Sequence, residues 1–318
     1  MTRYIGTKPL VEGALLAGIA VVLALAATYL PVAGMLMFFL LPVPIALMEL
    51  RHGTRPALLS VLVTGAVLSA FIGPLQAVIM TATLGLVGIA FGFGIRNRFS
   101  PTKTLLLGTV ALLLTTVLSV TLSFLFLGVS PFQIQEEMLE AVRAVSEMYE
   151  RWGVDEEIVR QTRDTLEASF AAFRLVFPAA FVAGALLNSL LNFSVLRMVL
   201  NRLGHRVDPL PAFSEWTLPK ALLGLYAAGV IGLMFQERHG IAWVNTVFVN
   251  MYLLATLGLT VQGVAAGYHF MTRYKWPKFA KVGVSIYVLF IPLLQTAAVI
   301  LGMLDLLFDY RKLGGARR

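Results

Sequence analysis

Few side chains in this sequence are suited to making or breaking bonds, and those few are scattered. Cysteine is absent, which removes thiol catalysis, disulfides and cysteine-based metal sites. The four histidines, His52, His205, His239 and His269, are too far apart in sequence to form a local metal motif. There is no His-Glu-x-x-His pair, no Gly-x-Ser-x-Gly turn and no glycine-rich Lys-Ser/Thr phosphate loop. Nor do two aspartates sit at matching depth on separate apolar runs. The reading is a non-enzyme without a cofactor, in which any ATP-driven step belongs to another chain.

What remains is hydrogen-bonding and packing chemistry inside apolar runs. Asn188 and Asn192, with Ser189 beside them, lie one helical turn apart. Unpaired amides at that depth are costly, so they make either interhelical hydrogen bonds or the polar wall of a ligand cavity. Tyr29, Gln76 and Ser123 lie near the ends of their runs, as interface residues or as parts of a binding mouth. Gln262 and Gln295 are further mid-run amides, read as interhelical glue. Glu12 follows Lys8 by four residues and reads as a snorkelling interfacial pair, as do Asp305 and Asp309 with Arg311 and Lys312. Gly13, Ala14, Ala17 and Gly18 form two small-xxx-small pairs on one side of the first run, which lets another backbone approach closely. They serve either internal packing or a docked partner, and Gly88 and Gly92 repeat the pattern.

These residues must be positioned by membrane helices. Of 318 residues 58% are hydrophobic and 13% charged, and the mean hydropathy is +0.82. That is more apolar surface than a soluble globule of this size buries. The net charge of +8 lies in short clusters between apolar runs, the pattern that holds loops on the cytoplasmic side. It does not indicate nucleic acid. The N-terminal run mimics a signal peptide, with Ala24-Leu25-Ala26 resembling a cleavage site, but it continues to Leu30, long enough to span.

With roughly 20 residues needed per crossing, nine spans are expected, at about 10–30, 35–50, a short third ending at Gly73-Pro74, 75–95, 104–127, 175–200, 217–235, 241–270 and 282–307. Pro42 and Pro44 remove two donors from the second, which must be kinked or partly unwound. The stretch Asp208-Pro209-Leu210-Pro211 forbids regular helix, and Glu237-Arg238-His239-Gly240 makes an outer turn. With the N-terminus in the cytoplasm of a bacterial inner-membrane protein, cytoplasmic segments hold 15 Lys and Arg residues. An odd count then exports Arg311, Lys312, Arg317 and Arg318, against the usual bias.

One long break interrupts this pattern. Residues 128–174 carry ten acids and five arginines, which places them outside. Ser130 as cap, Pro131 in the first turn and Gln133 begin a helix. Met138, Val142, Val145, Tyr149 and Trp152 form one apolar face, and Gly153 ends the helix. Asp155 caps a second helix with Val159, Thr162, Leu166, Phe170 and Phe173 on its apolar face, continuing into the sixth span. Interfacial helices usually carry Lys and Arg on the polar face, whereas these carry mostly Glu. The expectation is an extracytoplasmic antiparallel hairpin with its apolar faces packed on each other and on the bundle mouth. The domain organisation is 1–127 (spans one to five), 128–174 (the hairpin), 175–203 (span six) and 204–318 (a three-helix membrane extension).

Three features of the first half resemble the substrate-binding (S) components of energy-coupling factor vitamin transporters. They are Glu12-Gly13-Ala14-Leu15-Leu16-Ala17-Gly18-Ile19-Ala20, the Leu41-Pro42-Val43-Pro44 helix, and the turn Leu50-Arg51-His52-Gly53 before a small-residue helix. Six spans with both ends inside, over about residues 8–200, complete the likeness. S components stop at six helices and have a shorter fifth loop. The whole chain resembles the YybS-like family of bacterial predicted membrane proteins. The first resemblance implies uptake of a small molecule, with Tyr29, Gln76, Ser123, Asn188 and Asn192 toward the ligand and the hairpin as its lid. It also implies that Gly13, Ala14, Ala17 and Gly18 face a transmembrane coupling subunit that works with ATPases. The alternative is a non-transporting scaffold of the cell envelope.

Overall fold

The computed structural model describes residues 7–128, 131–235 and 242–311, with the side chains of 131–136 and of residue 242 outside that description. Outside it also lie Arg3, the Ser130 cap, the Glu237-Arg238-His239-Gly240 turn and the tail residues Lys312, Arg317 and Arg318. Among the described residues all regular structure is helical: α1 (Thr7–Tyr29), α2 (Pro31–Phe38), α3 (Pro42–His52), α4 (Thr54–Ile72), α5 (Pro74–Arg96) and α6 (Pro101–Leu127). There follow α7 (Pro131–Arg151), α8 (Glu156–Arg202), a 3-10 turn at Phe213–Glu215, α9 (Ala221–Met234), α10 (Ala242–Arg273), α11 (Lys278–Phe290) and α12 (Pro292–Phe308).

Seven helices among these are long and apolar enough to cross a bilayer, counting α2 and α3 together, and the α11–α12 pair raises the number to eight. The fold is an all-α polytopic membrane protein. The apolar helix α9 has 14 residues, about 21 Å, less than the roughly 30 Å of a hydrocarbon core. In the second run, Pro42 and Pro44 fall in the first turn of α3, where a missing donor costs no helical bond. The break comes just before them, at Phe39–Leu41.

The acidic insertion folds as the expected helical hairpin. Gly153 takes φ +80° after α7, and the Asp155 carboxylate accepts a 2.8 Å hydrogen bond from the Glu157 N–H to start α8. That helix runs for 47 residues into the sixth apolar run. The expected mutual burial of the two apolar faces is only partial: Ser146 and Val159 are buried, whereas Val145, Tyr149, Trp152, Ile158 and Leu166 stay exposed. A single helix pair buries one seam, and these stripes are wider than a seam.

The chain divides into two compact units, Met1–Glu167 with Val182–Leu210 and Ala168–Phe181 with Pro211–Arg318. The first is built around α3 and α5. Ile45 and Met48 from α3, Leu84, Val87 and Phe91 from α5, and Phe193, Leu196 and Leu200 from α8 are fully buried. Gly88 and Gly92 of α5 lie against the Pro42 and Ala46 carbonyls, leaving no room for a Cβ. Gly108 of α6 likewise makes space for the Phe91 ring. These glycines serve internal packing.

In the second unit, Gly263 of α10 and Gly302 of α12 meet the partner helix's main chain directly. The run expected as one ninth span is two helices bent by 105°. Pro292 disfavours helix in the residue before it, and Ile291 is extended at φ −105°, ψ 112°. Asp305 and Arg311, expected as an interfacial pair, are instead a buried ion pair with side chains 2% and 0% exposed. Arg311 also donates to the Ser214 carbonyl at 2.8 Å and the Trp216 carbonyl at 2.7 Å. Gln262 donates to Asp305 at 2.6 Å and accepts from the Leu218 N–H at 2.9 Å, so it is the expected glue. Arg311 therefore lies at the end of this unit from which α9 starts, not at the opposite end as nine full crossings require. The bend at Ile291 turns the chain back.

A further polar side chain repairs α8 in the same unit. Pro178 stands inside the helix and leaves one turn open. Asn250 of α10 fills it, accepting from the Ala179 N–H at 2.6 Å and donating to the Leu175 carbonyl at 2.8 Å. Replacing Asn250 with Leu strands both groups, each costing about 1–3 kcal/mol. We expect Asn250→Leu to lower the melting temperature in detergent by several degrees while Asn245→Leu does not. Equal effects would remove Asn250's special role.

Candidate functional site

The polar side chains of the first unit concentrate at one end, where α1 begins, α3 and α5 finish, α4 begins and the chain leaves α8. Glu12 of α1 pairs with Arg51 through one oxygen and with His52 Nε2 at 2.7 Å through the other. The expected Lys8–Glu12 pair is therefore replaced. Two bonds to another helix satisfy both carboxylate oxygens, which a single flexible lysine one turn away does not. Arg51 Nε also donates to His205 Nε2 at 3.2 Å.

Beside this group stands a second carboxylate, which no sequence motif marks. Glu49, in the last turn of α3, is fully buried. Its Oε1 accepts from the Thr54 hydroxyl at 3.1 Å and faces Arg96 Nη1 at 3.5 Å. Its Oε2 is buried without a hydrogen-bond partner. The Arg96 guanidinium lies where a Cβ on Gly53 would be, and Gly53 has φ +89°. The Arg51-His52-Gly53 turn thus needs its glycine twice, for the backbone and for the arginine. The signal in the sequence was Glu49 one residue inside an apolar run that ends in cations.

The small residues of α1 fall on two faces rather than one. Gly13 and Ala17 are buried. The place of a Gly13 Cβ is 3.0 Å from Ser60 Oγ and 3.1 Å from Met48 Cε, and Ser60 donates to the Gly13 carbonyl at 3.3 Å. Ala14 and Gly18 are exposed, and a Cβ on Gly18 meets open space.

The five residues expected toward a ligand do not converge. Tyr29 is exposed, with its hydroxyl donating to the Phe71 carbonyl at 3.2 Å, and joins the far ends of α1 and α4. Gln76, in the first turn of α5, is exposed and Ser123 is half-buried. Asn192 is buried and donates to the half-buried Asn188 one turn earlier, and its own Oδ1 has no partner. Ser189 between them donates to the Leu105 carbonyl at 2.8 Å. Leu105 and Ser123 are about 27 Å apart along α6 at 1.5 Å per residue. The asparagine pair thus sits toward the ionic end, and Tyr29 and Gln76 toward the other. No group of three or more metal-ligating side chains occurs among the described residues.

The arrangement is an ionic latch that ties four helices at one end and fixes one face of α1. If the Glu49–Arg96 contact holds it, Arg96→Ala leaves a buried carboxylate without its cation and destabilises by about 1–3 kcal/mol. Adding Glu49→Gln should return a substantial part of that loss. Thermal unfolding of the single and double variants checks this, and an additive loss would sink the interpretation.

Comparison with known proteins agrees with the membrane architecture. No solved structure matches the chain. It is 24% identical over 306 residues to Uncharacterized protein YybS of Bacillus subtilis (strain 168), covering 96% of this chain and 98% of that one. The family profile described as "Predicted membrane protein (DUF2232)" matches residues 18–306. With seven or more candidate spans and a family match over nearly its whole length, the chain belongs to the DUF2232 family of predicted membrane proteins.

Proposed function

We propose that the protein is an S-component-like binding component for uptake of a small molecule across the bacterial inner membrane, energised by separate subunits. In this reading the N-terminus and the ionic latch face the cytoplasm and the acidic hairpin lies outside. The observation that carries the reading is the two-sided α1. Its Gly13–Ala17 face is locked onto α3 and α4, while the Ala14–Gly18 face is open. A rigid helix with an open small-residue face suits close docking of another membrane helix, here a coupling subunit with its ATPases. Tyr29, Gln76 and Ser123 would line the outer mouth, and Asn188 and Asn192 the inner part of the path.

Ala14→Leu and Gly18→Leu place bulk in open space, so the folded protein should keep its melting temperature while losing co-purified transmembrane partners from native membranes. Unchanged partners would remove the docking face. A thermal-shift screen of vitamins and metabolites tests capture. A compound that raises the melting temperature by several degrees, less so in Gln76→Ala, supports it, and a protein that no compound stabilises counts against it.

A second reading is a non-transporting envelope scaffold. It is favoured by the open apolar stripe of the hairpin, with Tyr149, Trp152 and Ile158 exposed beside its acids. Crosslinking in native membranes to a cell-envelope assembly, with no coupling subunit captured, would select it.

A further inference from the structure

In the second unit, α10 and α11 pack side by side and enclose a partly open cleft of about 320 Å³. Its walls include Phe213, Val264, Tyr268, Val282, Ser285 and Leu289. This volume is at the lower end of the range for small-molecule sites. Two stripes at four-residue spacing face each other across it, Thr260, Val264 and Tyr268 from α10 and Ser285 and Leu289 from α11. One turn beyond each stripe, toward the chain reversal between the helices, stand Thr272 and Lys281. Lys281 Nζ donates to Thr272 Oγ1 at 3.2 Å and lies 5.0 Å from the centre of the Tyr268 ring. The cleft is thus apolar along its length and cationic at one end.

Lys281 is only 9% exposed, and among the described residues no carboxylate lies within salt-bridge distance of it. An ammonium has three donors, of which Thr272 takes one. A buried cation without a counter-charge is costly, and the ring face offsets only part of that cost. The next turn of chain supplies more cations, Arg273, Lys275 and Lys278, all exposed. They alternate with exposed Tyr274, Trp276 and Phe279. Aromatic side chains mixed with lysine and arginine at the end of an apolar helix mark the headgroup level of a bilayer. From Thr272 to Thr260 the α10 stripe runs about 18 Å, close to the roughly 15 Å hydrocarbon depth of one leaflet.

We propose that this cleft is a binding site for an anionic phospholipid, with one acyl chain between α10 and α11 and the headgroup phosphate on Lys281. The phosphate supplies the missing counter-charge, and Lys278, Lys275 and Arg273 add attraction at the rim. The Tyr268 ring and Ser285 stand at the junction between chain and headgroup. The site needs no transported substrate and does not depend on the uptake reading.

The test uses the full-length protein, delipidated in detergent, with melting temperature and native mass spectrometry as readouts. Dioleoylphosphatidylglycerol is expected to stabilise the wild type by several degrees and to remain bound. Dioleoylphosphatidylcholine, with the same chains, and inorganic phosphate, with no chain, should do neither. Lys281→Gln should weaken phosphatidylglycerol binding roughly fivefold or more, whereas Lys281→Arg retains it. Val264→Trp, which fills the cleft and leaves the charge, should prevent retention; because it can also disturb folding, Ser285→Leu near the mouth serves as the milder second variant. Equal binding of the two lipids, stabilisation by phosphate alone, or unchanged binding in Lys281→Gln would each overturn the assignment.

Discussion

A main-chain donor or acceptor at apolar depth has no water to turn to, and this constraint shapes the breaks in the bundle. A regular helix satisfies its own groups. At two departures from regular helix, the Pro178 turn and the stretch before α9, a polar side chain from elsewhere completes the count. Asn250 spans the turn that Pro178 opens in α8. Gln262 takes the Leu218 N–H, and Arg311 takes the Ser214 and Trp216 carbonyls, so the irregular stretch before α9 is anchored at three main-chain groups. Asn250 is thus the complement of Pro178, and Gln262 and Arg311 that of the irregular stretch.

Close approach of helices is the second organising condition. Gly88, Gly92 and Gly108 let α3, α5 and α6 meet with little side chain between them, and Gly263 and Gly302 do so for α10 and α12. The charged groups of these units collect toward the ends of the helices. That is where Glu12, Glu49, Arg51, His52, Arg96 and His205 gather in one unit, and where Lys281 meets the open cleft in the other. The ionic latch holds both its carboxylates against cations, which ends several helices at one level.

Much of the fold was legible because hydrophobic runs and helix caps are local signals. The hairpin, its Gly153 stop, its Asp155 cap and its continuity with the sixth run follow from residues within a few positions of one another. What was not legible depended on pairing across long separations. Lys8 is the nearest cation to Glu12 in sequence, but Arg51 and His52 are the ones the fold brings to it. Asp305 and Arg311 looked interfacial because both are charged, and only Gln262 and the Ser214–Trp216 carbonyls explain their burial. Asn188, Asn192 and Ser123 shared a polar character in the sequence, yet depth along a helix separates them. The Ala14–Gly18 and Gly13–Ala17 pairs differ by one residue, a rotation of about 100° at 3.6 residues per turn, which is enough to put them on different faces.

The Arg311 contacts also impose an order on biogenesis. Arg311 is separated from the Ser214 carbonyl by 97 residues, so at translation speeds of about 5–20 residues per second that carbonyl waits on the order of 5–20 s for its donor. During that time the Ser214 and Trp216 carbonyls lack the Arg311 donors that hold them in the finished fold. The buried ion pair is thus completed late in synthesis, when a cation and its carboxylate arrive together from the end of α12.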